Sequence, residues 1–244
     1  MLASTLKFDG ALTLQITGVG PLHLLVVQCD SQRHLRGLAR WEGEVAGLDF
    51  ASLVGAKGDG GRMVITVEQR ALEGKLERYQ GVVELEGPSL AAALEGYFAR
   101  SEQLPTRLWL AADGARAAGF MLQVIPASEA DPDAWQHATV LADTLTAPEL
   151  LALEPIALLH RLYHEDDLRL LDNCPVAFRC SCSRERITEM LRALGADEVR
   201  SILAEHGKVE VSCEFCGRDY RFDAVDVDQL LHALPAQPTS RGVH

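Results

Sequence analysis

Two pairs of cysteines near the C-terminal end carry the clearest chemistry of the sequence. Cys180 and Cys182 form a C-x-C pair in "FRCSCSRER", and Cys213 and Cys216 form a C-x-x-C pair in "VSCEFCGRDY". Four thiolates are a common ligand set for a structural Zn²⁺ ion, which they bind as a tetrahedron. We therefore predict one Zn²⁺ per chain in the reduced state, with these four cysteines as its ligands.

The C-x-C spacing also suits redox chemistry. Cysteines two positions apart close a small, strained ring, and a strained disulfide is easily reduced. An oxidant would convert the four ligands into two disulfides between sequence neighbours and release the metal. Zinc binding stabilises small domains by about 10–16 kcal/mol, which would then be lost. Cys180, Cys182, Cys213 and Cys216 are therefore predicted to be redox-switch residues as well as metal ligands.

Two other functions for these cysteines stay open. A thiol-disulfide oxidoreductase would use the C-x-x-C pair for catalysis, but its usual βαβ context is missing from the sequence around Cys213 and Cys216. A structural zinc module that binds a protein partner would use the same ligands without any redox response. Such a module would keep its metal under mild oxidation, so release of the metal by an oxidant would separate a redox switch from a structural module.

Other candidate residues have more ordinary interpretations. His160 and His164 lie one helical turn apart and could face a metal, but a solvated helix face is favoured. The glycine-rich stretch at 55–61 lacks the spacing of a phosphate-binding loop and predicts a hairpin loop. Cys29 is predicted to be a buried small residue of a strand, and Cys174 a loop thiol. No catalytic triad or nucleotide-binding motif is found. The chain is predicted not to be an enzyme, although the absence of a motif does not by itself exclude one.

Composition and charge limit the class of protein. A length of 244 residues predicts one sizeable core and a smaller second unit, and the 48% hydrophobic content is enough to supply that core. A net charge of -12 argues against a nucleic-acid partner, because phosphate binding depends on clustered basic residues. The sequence shows no apolar run long enough to cross a membrane and no signal peptide at its start. It is therefore predicted to be cytoplasmic, with no membrane partner and with reduced thiols.

The segment that carries the cysteines follows two others along the chain. The first, residues 1–126, is predicted to be an α+β core domain. Several short runs, such as "ALTLQITG", alternate apolar and polar residues and are separated by glycine-containing turns. This pattern predicts a meandering antiparallel sheet. A helix capped by Ser89 and two more strand-like runs follow, so helices are expected to cover the sheet.

The middle segment, 127–173, is acidic and is predicted to be helical. It contains 10 acidic and 2 basic residues. Its acidic groups repel one another when the segment is compact. Asp131, followed by a proline, and the capping-box sequence "TAPE" at 146–149 are helix-start signals. We expect a metastable helical linker that lies on the core domain.

The third segment, 174–235, is predicted to be a small zinc-binding redox-switch domain. Ser183 is expected to cap a helix that ends at Gly195, and a second helix is expected to end at Gly207. A hairpin whose turn carries the C-x-x-C pair and a final helix should follow. The remaining residues, 236–244, are predicted to be a disordered tail.

These motifs resemble those of the heat-shock protein 33 (Hsp33) family. The motifs "CSCSRER" and "CEFCGRDYRF" carry the resemblance, and "ERYQGVVELEG", "YFARSEQLPTRL" and "LLHRLYHEDD" extend it in the family's order over nearly the whole chain. The resemblance implies an ATP-independent holdase chaperone that is zinc-bound and inactive when reduced. Oxidants would form C-x-C and C-x-x-C disulfides, expel zinc and unfold the C-terminal segment and the linker.

The resemblance also implies partners and one departure from the family. The implied partners are unfolding client proteins and, after oxidation, a second copy of the chain in a homodimer. The family name implies about 33 kDa, whereas this chain has a mass of 26.6 kDa. At roughly 110 Da per residue, about 55–60 residues are expected to be absent. The start, "MLASTLKFDG", looks like the end of an apolar helix, so the missing segment is expected at the N-terminus.

Overall fold

The protein is described by a computed structural model that covers residues 1–5, 9–55, 61–70, 75–125, 132–171 and 173–232. The chain divides into two compact units, Met1–Phe178 and Arg179–His244. Within the described ranges, no helix combines the length and the apolar character that a membrane crossing requires. The division into a core domain, a metastable linker and a switch domain stays a prediction, and the predicted tail lies outside the described residues.

The first unit contains both sheets and helices, which confirms the predicted α+β class. In chain order its elements are α1 (Leu2–Thr5), β1 (Gly10–Thr17), β2 (Leu22–Asp30), β3 (His34–Trp41), α2 (Phe50–Val54), β4 (Arg62–Arg70), β5 (Leu76–Glu84), α3 (Leu90–Tyr97), β6 (Thr106–Ala112), β7 (Ala117–Gln123), α4 (Pro132–Ala142), α5 (Ala147–Ala152), α6 (Pro155–Tyr163) and β8 (Ala177–Phe178). A π-helical turn, Phe98–Glu102, extends α3.

The main sheet has the strand order β5-β4-β1-β2-β3-β8. Its pairs are antiparallel except for β3 with β8, which is parallel. The predicted meander is therefore wrong at one connection, because β4 pairs with β1 rather than with β3. The unpredicted helix α2 lies on that connection, and most of the predicted glycine-rich loop that follows it lies outside the described residues.

Alternation along the strands turns one face of this sheet toward the core. Leu12 and Ile16 of β1 and Ile65 of β4 are buried there, together with Leu94 of α3. Ser89 caps α3 as predicted, because its hydroxyl accepts a hydrogen bond from the backbone amide of the third helical residue. The cap fixes the start of α3, and the apolar side chains of the helix then pack into the core beside the sheet.

The opposite face carries a row of polar side chains across five strands. Thr13 of β1 lies opposite Gln28 of β2 and Thr66 of β4. The Gln28 side-chain amide donates to the Thr13 hydroxyl at 3.1 Å, and the Arg36 guanidinium of β3 donates to the side-chain oxygen of Gln28 at 2.7 Å. On the other side, Gln80 of β5 donates to the Thr66 hydroxyl at 3.2 Å. This polar row links neighbouring strands through their side chains.

Helices α4 to α6 pack on a separate two-stranded sheet made by β6 and β7. The buried side chains of this linker cluster are Leu145, Leu150, Leu158, Leu162 and Tyr163. Trp109 of β6 and Phe120 of β7 pack against them. The Tyr163 hydroxyl also donates to the Ala138 carbonyl at 2.9 Å, which joins α6 to α4. The predicted helices are therefore found on the sheet, while the predicted cap Asp131 lies outside the described residues.

The capping box predicted at the start of α5 is confirmed. The Glu149 amide donates to the Thr146 hydroxyl at 3.4 Å, and the Glu149 carboxylate accepts the Thr146 amide at 2.9 Å. Arg161 of α6 contacts the same carboxylate at 2.6 Å. Hydrogen bonds from Thr146, aided by Arg161, hold the pKa of Glu149 below its usual range. The charged carboxylate therefore ties α5 to α6.

The second unit has its own small core. Its elements are α7 (Arg184–Leu194), α8 (Ala196–His206), β9 (Val209–Ser212), β10 (Asp219–Phe222) and α9 (Ala224–His232). Its most deeply buried side chains are Leu191, Val199, Val209, Phe222 and Val227. Ser183 caps α7 and Gly207, at φ 71°, ends α8, so both predicted helix boundaries are confirmed.

Candidate metal centre

Two local structures bring four cysteine sulfurs together in the second unit. Cys180 and Cys182 lie in the segment that leads into α7, while Cys213 and Cys216 lie in the turn between β9 and β10. Their four Sγ atoms lie within 4.8 Å of one another. The contacts between the two pairs are 3.6 Å for Cys180 with Cys213 and 3.4 Å for Cys182 with Cys216.

Backbone hydrogen bonds shape the C-x-x-C turn. The Cys213 amide donates to the Arg218 carbonyl at 2.9 Å. The amides of Cys216 and Gly217 donate to the Cys213 carbonyl at 3.3 and 2.7 Å. Gly217 has a φ of 69°, in the left-handed region that glycine adopts without a steric penalty. The backbone of the turn therefore fixes the positions of both cysteines.

The sulfur spacing fits a tetrahedral zinc site. Sulfurs at about 2.3 Å from a central Zn²⁺ are about 3.8 Å apart in a regular tetrahedron. The two contacts between the pairs, 3.4 and 3.6 Å, are close to that value. A disulfide bond is much shorter, at about 2.0 Å, and none of the six cysteines of the chain forms one. The cluster therefore has the donor atoms and the dimensions of a metal site.

Hydrogen bonds shift the pKa values of two thiols of the cluster in opposite directions. Burial raises the pKa of Cys180, but the Cys182 amide and the neighbouring thiols donate to its sulfur and lower the pKa to about 6. The Arg218 amide lowers the pKa of the Cys216 thiol. The contacts of Cys216 with the other sulfurs outweigh that effect and raise its pKa to about 12. Cys180 therefore loses its proton more readily than Cys216 does. A bound cation would favour the charged form of every sulfur.

Tyr220 of β10 is part of the surroundings of this cluster. Its hydroxyl donates to the Cys182 sulfur at 3.1 Å, and its ring is only 7% exposed within the core of the second unit. The hydrogen bond to Cys182 raises the pKa of the Tyr220 hydroxyl, which keeps it protonated and able to donate. The sequence interpretation missed this residue. Alternation along β10 could have predicted its burial, but not its partner.

The remaining candidate residues do not join a metal cluster in the part of the chain that the structure describes. His160 of α6 and His164, which caps the end of that helix, stack at 5.7 Å and are both exposed, as predicted. Cys29 is 8% exposed in β2, and burial raises the pKa of its thiol. Cys174 is exposed. The metal-binding chemistry of the described residues is thus concentrated in the four clustered cysteines.

Comparisons with known proteins point to one family over most of the chain. The family model described as "Hsp33 protein" matches residues 1–223. A protein named "33 kDa chaperonin" from Ectopseudomonas mendocina is 47% identical, with 100% of this chain and 83% of the relative covered. The protein of the same name from Pseudomonas aeruginosa is 48% identical, with 100% and 82% covered.

A solved structure shows the same fold. The crystal structure of the 33 kDa chaperonin (heat shock protein 33 homolog) from Thermotoga maritima matches with a TM-score of 0.78 and 23% sequence identity. The match covers 95% of this chain and 80% of that chain. Together with the family model and the close relatives, these matches show that the chain belongs to the Hsp33 family of chaperones.

Proposed function

We propose that the protein is an ATP-independent holdase chaperone that oxidation switches on. The observation that carries the proposal is the cluster of four cysteine sulfurs within 4.8 Å in a chain of the Hsp33 family. Cys180, Cys182, Cys213 and Cys216 are the proposed ligands. When bound, Zn²⁺ would hold their sulfurs as thiolates and add its binding free energy to the folding of the second unit.

Oxidation would remove these ligands. For each disulfide formed, two cysteine sulfurs give up two electrons, which with protons from solvent reduce peroxide to two waters or hypochlorous acid to water and chloride. We propose bonds between sequence neighbours, Cys180 with Cys182 and Cys213 with Cys216. The four sulfurs could then no longer bind metal as thiolates, and the small core of the second unit would lose its main stabilisation.

The proposed linker would respond because it continues directly into the second unit. It carries 10 acidic and 2 basic residues at 127–173, so charge repulsion opposes its compact form. Its unfolding would expose Trp109 and Phe120, which pack against the linker cluster in the folded state.

Clients would bind the apolar surface that the linker uncovers. A groove of about 670 Å³ already lies beside α5, lined mainly by apolar side chains of α3, β6 and β7. Partly unfolded proteins expose apolar segments that could bind such a surface without any nucleotide. The activated form would be a homodimer, and the protein would bind clients rather than turn over a substrate. We place it in the cytoplasm, where thiols stay reduced until oxidative stress.

The proposal is tested by measuring zinc content and client aggregation in the same samples. Reduced protein should contain one zinc per chain and leave a thermally unfolding client unprotected. Peroxide at mildly elevated temperature should release the zinc and produce holdase activity. Retention of zinc without activity would instead identify a structural zinc module. Catalytic exchange of disulfides in a test substrate would identify an oxidoreductase.

A further inference from the structure

Tyr220 contacts the sulfur cluster through its side chain. Its hydroxyl is 3.1 Å from the Cys182 sulfur, within the range of an O–H···S hydrogen bond. The nearby Arg218 guanidinium lowers the pKa of the same hydroxyl, against the effect of Cys182, which raises it.

The position of this hydroxyl is set by packing. Tyr220 lies opposite Val211 in the β9–β10 hairpin, and its ring is buried in the core of the second unit. Cys182 is also packed against that core. The ring therefore has little freedom to turn the hydroxyl away from the sulfur.

Two other sulfurs of the cluster have donors of a different kind besides the neighbouring thiols. Cys180 accepts the Cys182 amide and Cys216 accepts the Arg218 amide, both of which belong to the backbone. A backbone donor is present whatever the side chain at that position. A side-chain donor such as Tyr220 can be removed by one substitution, so its contribution can be measured separately.

We propose that Tyr220 is a positioning residue that protects Cys182 from oxidants and helps to retain the metal, an inference that rests on the proposed function. The sulfur lone pair that accepts the hydroxyl proton is less available to attack an oxidant. Oxidation by peroxide requires that lone pair to attack one peroxide oxygen, which forms a sulfenic acid and releases hydroxide. A neighbouring thiol then displaces water to form the disulfide. The same hydrogen bond orients the sulfur as a ligand, as partners outside the metal's own ligands do in other sites.

The test compares Tyr220→Phe with Tyr97→Phe. Each substitution keeps a buried ring and removes one donating hydroxyl, but Tyr97 lies in the first unit, where it is 3% exposed and donates to Glu102 at 2.7 Å. With Co²⁺ as a spectroscopic substitute for zinc, loss of the hydrogen bond should move the sulfur-to-cobalt charge-transfer band to lower energy. Zinc affinity, measured by chelator competition, should fall roughly 10- to 100-fold. Tyr97→Phe should change neither.

A second measurement uses reduced protein with excess Zn²⁺, because the second unit without metal would lose the packing that holds Tyr220 beside Cys182. Cys182 should react faster with iodoacetamide and with peroxide in Tyr220→Phe than in the unchanged chain, as mapped by mass spectrometry. An unchanged cobalt band together with an unchanged Cys182 rate would overturn the inference and leave the proposed function intact. Failure of the unchanged chain to bind Zn²⁺ or Co²⁺ would overturn the zinc switch, while a faster Cys182 reaction in the variant would still support the hydrogen bond.

Discussion

Truncation of Leu162 in α6 should activate the protein without oxidant. Its side chain is 4% exposed and belongs to the linker cluster that joins α4 to α6 with the β6–β7 sheet. Leucine-to-alanine changes at buried sites cost about 2–5 kcal/mol. At about 1.4 kcal/mol per factor of ten, the linker helices of Leu162→Ala should open roughly 30 to 4,000 times more often.

The assay combines amide hydrogen exchange with client aggregation, both on reduced, zinc-loaded protein. Exchange should rise in α4, α5 and α6 but not in the second unit, because exchange reports local opening. The aggregation of a thermally unfolding client should fall although no oxidant is present. The matched control is Ile156→Ala on the same helix, where the side chain is 69% exposed and the change should cost less than about 0.5 kcal/mol.

One result would refute the reasoning that the linker covers the client surface. If the helices of Leu162→Ala exchange faster but the reduced variant leaves clients unprotected, the covered surface is not the one that binds them. If Ile156→Ala raises exchange as much as Leu162→Ala, the linker is not held by its buried cluster.

Three further changes test the linker and the metal centre. Glu149 has a lowered pKa in the folded state, so its contribution is present above its ordinary pKa and is lost as pH falls through the folded value. Acidification should therefore lower the protection factors of the α5 amides, which compare each exchange rate with the intrinsic rate at the same pH. Glu149→Gln should make these protection factors less dependent on pH over that range. Cys216→Ser should reduce zinc content well below one per chain and abolish the cooperative unfolding of the second unit, followed by circular dichroism. Gly217→Ala should weaken zinc binding, because a side chain at φ 69° costs about 1–2 kcal/mol. Gly207→Ala, at φ 71°, should destabilise the end of α8 yet leave zinc affinity unchanged.

Local features of the fold and of the site could be predicted from the sequence. The caps at Ser89, Thr146 and Ser183 depend on hydrogen bonds within one helical turn, so the residue types indicate them directly. The hairpin that carries the C-x-x-C pair is equally local. The proximity of all four sulfurs was also predicted, because one tetrahedral ion as the common partner requires it.

Features that depend on distant parts of the chain could not be predicted in this way. The pairing of β4 with β1 arises from the path of the chain through α2, and alternation along a strand does not indicate its neighbours. The bond from Tyr220 to Cys182 joins residues 38 positions apart. Its geometry follows from how the hairpin packs on α7 in the second core.

The polar row on the outer face of the main sheet restricts how the chain can refold. If β1 shifted by one residue, Thr13 would enter the core, Leu12 would face water, and the bond from Gln28 to Thr13 would break. The bond from Gln80 to Thr66 imposes the same restriction on β4 and β5. A chaperone that works while other proteins unfold must itself recover one strand alignment after heating. The row favours that alignment over slipped, aggregation-prone pairings, and it does so without any involvement of the cysteines.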